Sequence, residues 1–137
     1  MGQHVLVVDD DYDVRTVLSL LVEHFGVPVR TATDGLSAIQ EIEASPPKMI
    51  TLDLAMPYMG GMSVLEYLHG HPKAHDIPVL VVTANPVRDA SVAARFENVV
   101  GILEKGVFGI EDLVAYLKPL FGLGGDDTPD AAQRTSD

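Results

Sequence analysis

Four of the five short apolar runs in this chain are nearly continuous in Val, Ile, Leu or Met: Val5 to Val8, Met49 to Leu52, Val79 to Val82 and Val99 to Leu103. A strand with one face in water alternates apolar and polar residues, whereas a strand covered on both faces does not. These runs therefore predict a parallel sheet with helices on either side, and Val27 to Thr31 supplies the fifth strand. The covering helices are legible between and after the runs. Apolar stripes at helical spacing are formed by Val14, Val17, Leu18, Leu21, Val22 and Phe25, then by Leu36, Ile39 and Ile42. Further stripes are Met62, Leu65 and Leu68; Val92, Ala93 and Phe96; and Ile110, Leu113, Val114 and Leu117. Asp10 or Asp11, Asp34, and Asn85 with Pro86 behind it stand where helix N-caps belong. Five strand–helix units with right-handed crossovers lead to an open, doubly wound α/β sheet. In such sheets ligands bind beyond the carboxyl ends of the strands, so the residues just after each strand carry the most information.

Composition removes several function classes. With 9 Lys+Arg against 20 Asp+Glu the net charge is -11, a field that repels phosphate backbones and anionic lipid heads, so neither nucleic acid nor membrane is an expected partner. No apolar run approaches the roughly 20 residues that span a bilayer. Cys is absent, which excludes disulfides and thiolate metal sites, and the first strand begins too early to leave room for a signal peptide. A cytoplasmic address is the expectation. Residues 1–121 read as one domain and 122–137 as a small, polar, acidic tail expected to be disordered.

The strand ends bring together Asp9, Asp10 and Asp11 after the first strand, Asp53 after the third, Thr83 after the fourth and Lys105 after the fifth. Gathered carboxylates repel one another unless a cation and the Lys ammonium neutralise them. Hard oxygen donors with no His or Cys nearby suit Mg²⁺ or Mn²⁺. Such a set matches the needs of phosphoryl transfer. A carboxylate can attack phosphorus, a metal and an ammonium can neutralise two phosphoryl oxygens, and a hydroxyl with a backbone N–H can bind the third. Elsewhere, His69, His71 and His75 near Asp76 read as solvent-exposed loop residues rather than a zinc site.

The segments VLVVDDD, LDLAMPYMGG, VVTA and ILEKG, in this order, resemble the receiver domain of two-component response regulators over residues 4 to about 121. That resemblance implies a flavodoxin-like sheet in the order 2-1-3-4-5 with five helices. Position by position, it implies that Asp53 is the phospho-acceptor and Asp10 a direct metal ligand. Asp9 would be its partner, and the Ala55 carbonyl would complete the metal shell. Lys105 would pair with Asp53 and later with the phosphoryl group, and Thr83 would move toward that group with the Ala84 backbone N–H beside it. The donor would be a phosphohistidine on a histidine kinase or a histidine phosphotransfer protein, contacting the first helix and the active-site loops. The receiver would catalyse only its own phosphoryl transfer and hydrolysis, without being an enzyme in its own right. A protein target would read the face of the fourth helix, fifth strand and fifth helix, with Thr83, Ile102, Arg88, Arg95 and Val107 as reporters. No DNA-binding output segment is expected.

Two positions depart from the family pattern. Ile102 stands where the family usually has an aromatic residue, three before the lysine, so a weaker or differently routed switch is expected. Gly106 stands where Pro usually follows the lysine in a cis peptide, so that loop either keeps a strained peptide or rearranges. Two other classes remain: a phosphorylation-independent interaction module on the same scaffold, and a hydrolase of the haloacid dehalogenase type. The second wants another carboxylate two residues after its nucleophile, where this chain has Ala55.

Overall fold

The structure, a computed structural model, describes residues 3–56 and 60–123. Ten elements alternate: β1 (Val5–Val8), α1 (Tyr12–His24), β2 (Val29–Ala32), α2 (Gly35–Ala44), β3 (Met49–Leu52), α3 (Gly61–His69), β4 (Val79–Thr83), α4 (Pro86–Ala93), β5 (Val99–Glu104) and α5 (Ile110–Phe121). The five strands are parallel and ordered β2-β1-β3-β4-β5. The flavodoxin-like doubly wound sheet is therefore present. The predicted tail, from 124 onward, lies outside the described residues.

Continuous apolar strands are explained by the two cores they separate. On one face Leu6, Val8, Ile50, Leu52, Val79 and Val81 pack with Ala38, Ile42, Val64, Leu65, Leu68 and Ala93 of α2, α3 and α4. On the other, Val5, Val7, Met49, Leu80, Val82 and Leu103 pack with Leu18, Val22, Leu113 and Leu117 of α1 and α5. Successive residues feed opposite layers because the strand pleat alternates. The second strand starts two residues later than the sequence pattern places it. Val27 is buried but precedes Pro28, and pairing with β1 begins at Val29. Three expected stripe residues, Val17, Leu36 and Ile110, are exposed instead; in α2, Ala38 occupies the position facing the core.

Polar side chains set the helix starts. Asp11 Oδ1 accepts from the backbone N–H groups of Asp13 and Val14 at 2.8 and 3.3 Å. Asp34 and Ser37 cap one another reciprocally at α2. Asn85 Oδ1 accepts from Arg88 N at 2.9 Å, with Pro86 at the first helical position of α4. At α3 the constraint is steric: a Cβ on Gly61 would stand 2.5 Å from the Asp53 carbonyl oxygen, so glycine is what lets this helix start against the end of β3.

Candidate functional site

Parallel register delivers the carboxylates to one place. Val8 pairs with Leu52 at the last rungs of β1 and β3, and the next residues, Asp9 and Asp53, continue side by side, with Asp53 N donating to Val8 O at 3.1 Å. The sheet reverses its winding between these two strands, which is where a doubly wound sheet opens its ligand crevice. On the far side Lys105 N donates to Thr83 O at 2.9 Å, carrying the ladder one residue past β5 and placing the lysine at the same end.

Asp9 and Asp53 are buried, at 1% and 3% exposure. Lys105 Nζ lies 2.9 Å from Asp9 Oδ2 and 3.1 Å from Asp53 Oδ2, so one ammonium bridges two carboxylates. The remaining oxygens are held by the backbone: Asp11 N donates to Asp9 Oδ1 at 2.9 Å and Ala55 N to Asp53 Oδ1 at 3.0 Å. Arg15 donates to the Asp9 carbonyl at 2.9 Å, tying α1 to the end of β1. Burial pushes the Asp9 carboxyl up, and the nearby Asp53 charge adds to the rise against the opposing pull of the Asp11 N–H and the Lys105 ammonium. Burial also pulls the Lys105 ammonium down, but its contacts with Asp9 and Asp53 outweigh that and hold it above its ordinary value.

Oxygen atoms from Asp9, Asp10 and Asp53 lie within 4.8 Å of one another, and Asp10 is exposed to solvent on the open side. Asp9 Oδ2 is buried, and the Lys105 ammonium that it shares with Asp53 is its one near partner, without a hydrogen bond. Three carboxylates that share a single ammonium leave negative charge uncompensated, and their oxygens fit a hard divalent cation. This is the only group of three such side chains with metal-ligand spacing among the described residues. The histidine stretch does not form one: His69 packs edge-on to Phe96 and His71 leans on Tyr67.

Thr83 is fully buried at the end of β4. Its Oγ1 accepts from Asn85 N at 3.0 Å and donates to Asp89 Oδ2 at 2.6 Å. Asp89, in the first turn of α4, is also buried, and Arg88 reaches it with Nε at 3.1 Å from Oδ1. Burial pushes the Asp89 carboxyl up, but the hydrogen bonds from Arg88 and Thr83 outweigh it and hold the group below the usual carboxylate range. Sequence reasoning missed Asp89. An acidic residue in the first turn of a helix is ordinary, and only the turn of α4 onto β4 reveals its partner.

The other expected site residues are distributed as follows. Ala84 is exposed beside Thr83, and it is Asn85 whose N–H reaches the hydroxyl. Val107 is exposed, and Arg95 lies over the Phe96 ring with its guanidinium 5.8 Å from the centroid. Ile102 is half-buried and packs against the core cluster that contains Ala93 and Phe96. No cis peptide occurs among the described residues, and the loop after Lys105 is instead accommodated by Gly106 at φ +75°, in the left-handed region that glycine tolerates. Beside that loop a cavity of about 190 Å³ is lined by Val14, Val17 and Leu18 of α1 and by Lys105, Gly106 and Phe108.

A parallel doubly wound sheet with three clustered carboxylates, a bridging lysine and a buried hydroxyl at its switch point defines a class of site. The model of the response regulator receiver domain matches residues 5–118, and the chain belongs to that family. It is 34% identical over 120 residues to the response regulator MprA of Mycobacterium tuberculosis, an alignment covering 88% of this chain and 51% of the relative. The chain thus spans about half the length of the curated relatives it matches. Among solved structures it resembles the chemotaxis protein CheY4 of Vibrio cholerae with a TM-score of 0.76 and 25% identity, over 88% of this chain and 99% of the other. It also shares its fold with the receiver domain of the sensor histidine kinase PA1611 from Pseudomonas aeruginosa, which has a magnesium ion coordinated in its active site cleft. There the TM-score is 0.78 at 24% identity, over 89% and 99% of the two chains.

Proposed function

We propose that this receiver domain accepts a phosphoryl group on Asp53 from a phosphohistidine and acts as a phosphorylation-driven signalling switch. The observation that carries the reading is the single Lys105 ammonium bridging buried Asp9 and Asp53 at the sheet's switch point. In the transfer step an Asp53 carboxylate oxygen attacks phosphorus, the P–N bond of the phosphohistidine breaks, and the imidazole leaves with the electron pair. An acyl phosphate results. Water later attacks that phosphorus, releasing inorganic phosphate and restoring the carboxylate. Lys105 stays in place through both steps, neutralising first the carboxylates and then the phosphoryl oxygens.

Mg²⁺, or Mn²⁺, would be held by Asp9, Asp10 and Asp53 with the Ala55 carbonyl, and when bound supplies charge neutralisation between carboxylate and phosphoryl oxygens. The buried Asp9 Oδ2, without a hydrogen bond, favours this assignment. Once freed from Asp89, the Thr83 hydroxyl would bind the third phosphoryl oxygen together with the Ala84 backbone N–H. The side chain at Ala55 is small, which leaves water a path to the phosphorus. The domain assists only its own phosphorylation and dephosphorylation. Its donor is a histidine kinase or a histidine phosphotransfer protein seated on α1 and the loop after β5, where the apolar cavity lies. A protein target reads the α4-β5-α5 face, on which Val87, Val100 and Val107 are exposed. Among the described residues no helix is long and apolar enough to cross a membrane, and a cytoplasmic setting suits such a donor.

Intact mass after incubation with acetyl phosphate and Mg²⁺ tests the reading. Wild type should gain one phosphoryl group, and Asp53→Ala or chelation should abolish the gain. If wild type neither gains it nor binds beryllofluoride, a phosphoryl mimic, the interaction module without phosphorylation takes its place.

A further inference from the structure

The Thr83 hydroxyl is already committed before any phosphoryl group arrives. A hydroxyl has one hydrogen to donate and two lone pairs with which to accept. Asn85 N–H occupies a lone pair at 3.0 Å, and the hydrogen goes to Asp89 Oδ2 at 2.6 Å, a short bond of the charge-assisted kind. For Thr83 to donate to a phosphoryl oxygen on Asp53, that bond must break. Asp89 is buried, and its remaining side-chain partner is Arg88, at 3.1 Å on Oδ1 and 3.5 Å on Oδ2. Losing Thr83 leaves a carboxylate short of a donor in a poorly hydrated place, which costs far more than the same loss in water. The first turn of α4 is therefore driven to move when the hydroxyl leaves it.

We propose that Asp89 is a positioning residue that latches the Thr83 hydroxyl away from Asp53, so that phosphorylation is reported by release of the first turn of α4. The inference rests on Asp53 as the phospho-acceptor. It also accounts for the departure at Ile102. That side chain is half-buried against the core cluster and carries no polar atom to follow the hydroxyl, whereas Asp89 joins Thr83 to α4 directly. The exposed Arg88 guanidinium, tethered to the same carboxylate, moves with it.

The probe is beryllofluoride with Mg²⁺, its apparent affinity measured by titration on wild type, Asp89→Ala, Thr83→Ala and the double variant. Removing the latch should tighten binding on the order of tenfold, the scale of one hydrogen bond to a charged group. In the Thr83→Ala background the same change should shift affinity by less than about twofold, and Thr83→Ser should restore the effect, because only a hydroxyl can be latched. Asp89→Asn keeps the side-chain volume and a weaker acceptor, should give an intermediate gain, and serves if the alanine variant folds poorly. Wild-type affinity in both Asp89 variants, or a gain that persists without the Thr83 hydroxyl, overturns the latch while leaving Asp53 as acceptor. Failure of wild type itself to bind the probe overturns the acceptor reading and the latch with it.

Discussion

The two halves of the crevice are built differently. Asp9 and Asp53 follow β1 and β3, central strands whose every residue is buried between two helical layers. Thr83 ends β4, which is buried at every residue as β1 and β3 are, but Lys105 follows β5, an edge strand in which only Leu103 is buried and whose register against β4 is irregular near Val79 and Leu80. The half that concentrates charge stands on the part of the sheet least able to shift. The half that would report a change borders the thinly packed edge strand, and its side chains, Asp89 among them, are joined by hydrogen bonds that can be exchanged. Close-packed interiors resist continuous deformation, so a switch is best placed beside them rather than within them.

Stability should divide along the same line. Ile50→Ala in β3 removes a fully buried side chain from between two layers and should cost about 2–5 kcal/mol, whereas Ile102→Ala in β5 should cost about 1–2 kcal/mol, both by urea denaturation. Equal losses would mean that β5 is as firmly held as β3, and the division would fail.

A smaller effect sharpens the cost of gathering charge at the central strands. Burial raises the Asp9 carboxyl, so at neutral pH the folded state holds an ionised group it disfavours relative to the unfolded chain. That penalty is full above the raised folded value, is relieved as pH falls through it, and is gone below the unfolded value of about 3.9. Asp9→Asn should therefore raise the urea midpoint at pH 7 without metal. The gain should shrink on acidification, and saturating Mg²⁺, which binds the wild-type carboxylate, should narrow the difference. An Asn variant less stable at pH 7 would show that the Lys105 bridge outweighs the burial of the charge.

The smallest effect concerns Thr51, buried in β3 with its hydroxyl unpartnered. Thr51→Val keeps the branched shape and removes the unsatisfied group, and should stabilise by about 1 kcal/mol in the same assay. A loss instead would indicate that the hydroxyl has a partner, such as a buried water, and that this strand is less dry than its packing suggests.

By itself the sequence determined the parallel sheet, because strands covered on both faces need uninterrupted apolar residues. It also determined the acidic end of the crevice: Asp9, Asp10, Asp53 and Lys105 directly follow such strands, and register carries them to one edge. The helix caps at Asp11, Asp34 and Asn85 were legible for the same reason, since a cap bonds only to its own next few residues. Strand order came into view only through family resemblance, for periodicity says nothing about which strands are neighbours. Only the tertiary structure decided which stripe residues face inward: Val17 and Leu36 satisfy the helical period yet lie exposed, since the helix's rotation about its axis is set by what it packs against. Only it set Ile102 half-buried against the core, and only it joined Thr83 to Asp89. Those two residues sit in different elements, and neither has a local signal to mark the other. Their 2.6 Å bond exists because α4 folds its first turn back onto the end of β4.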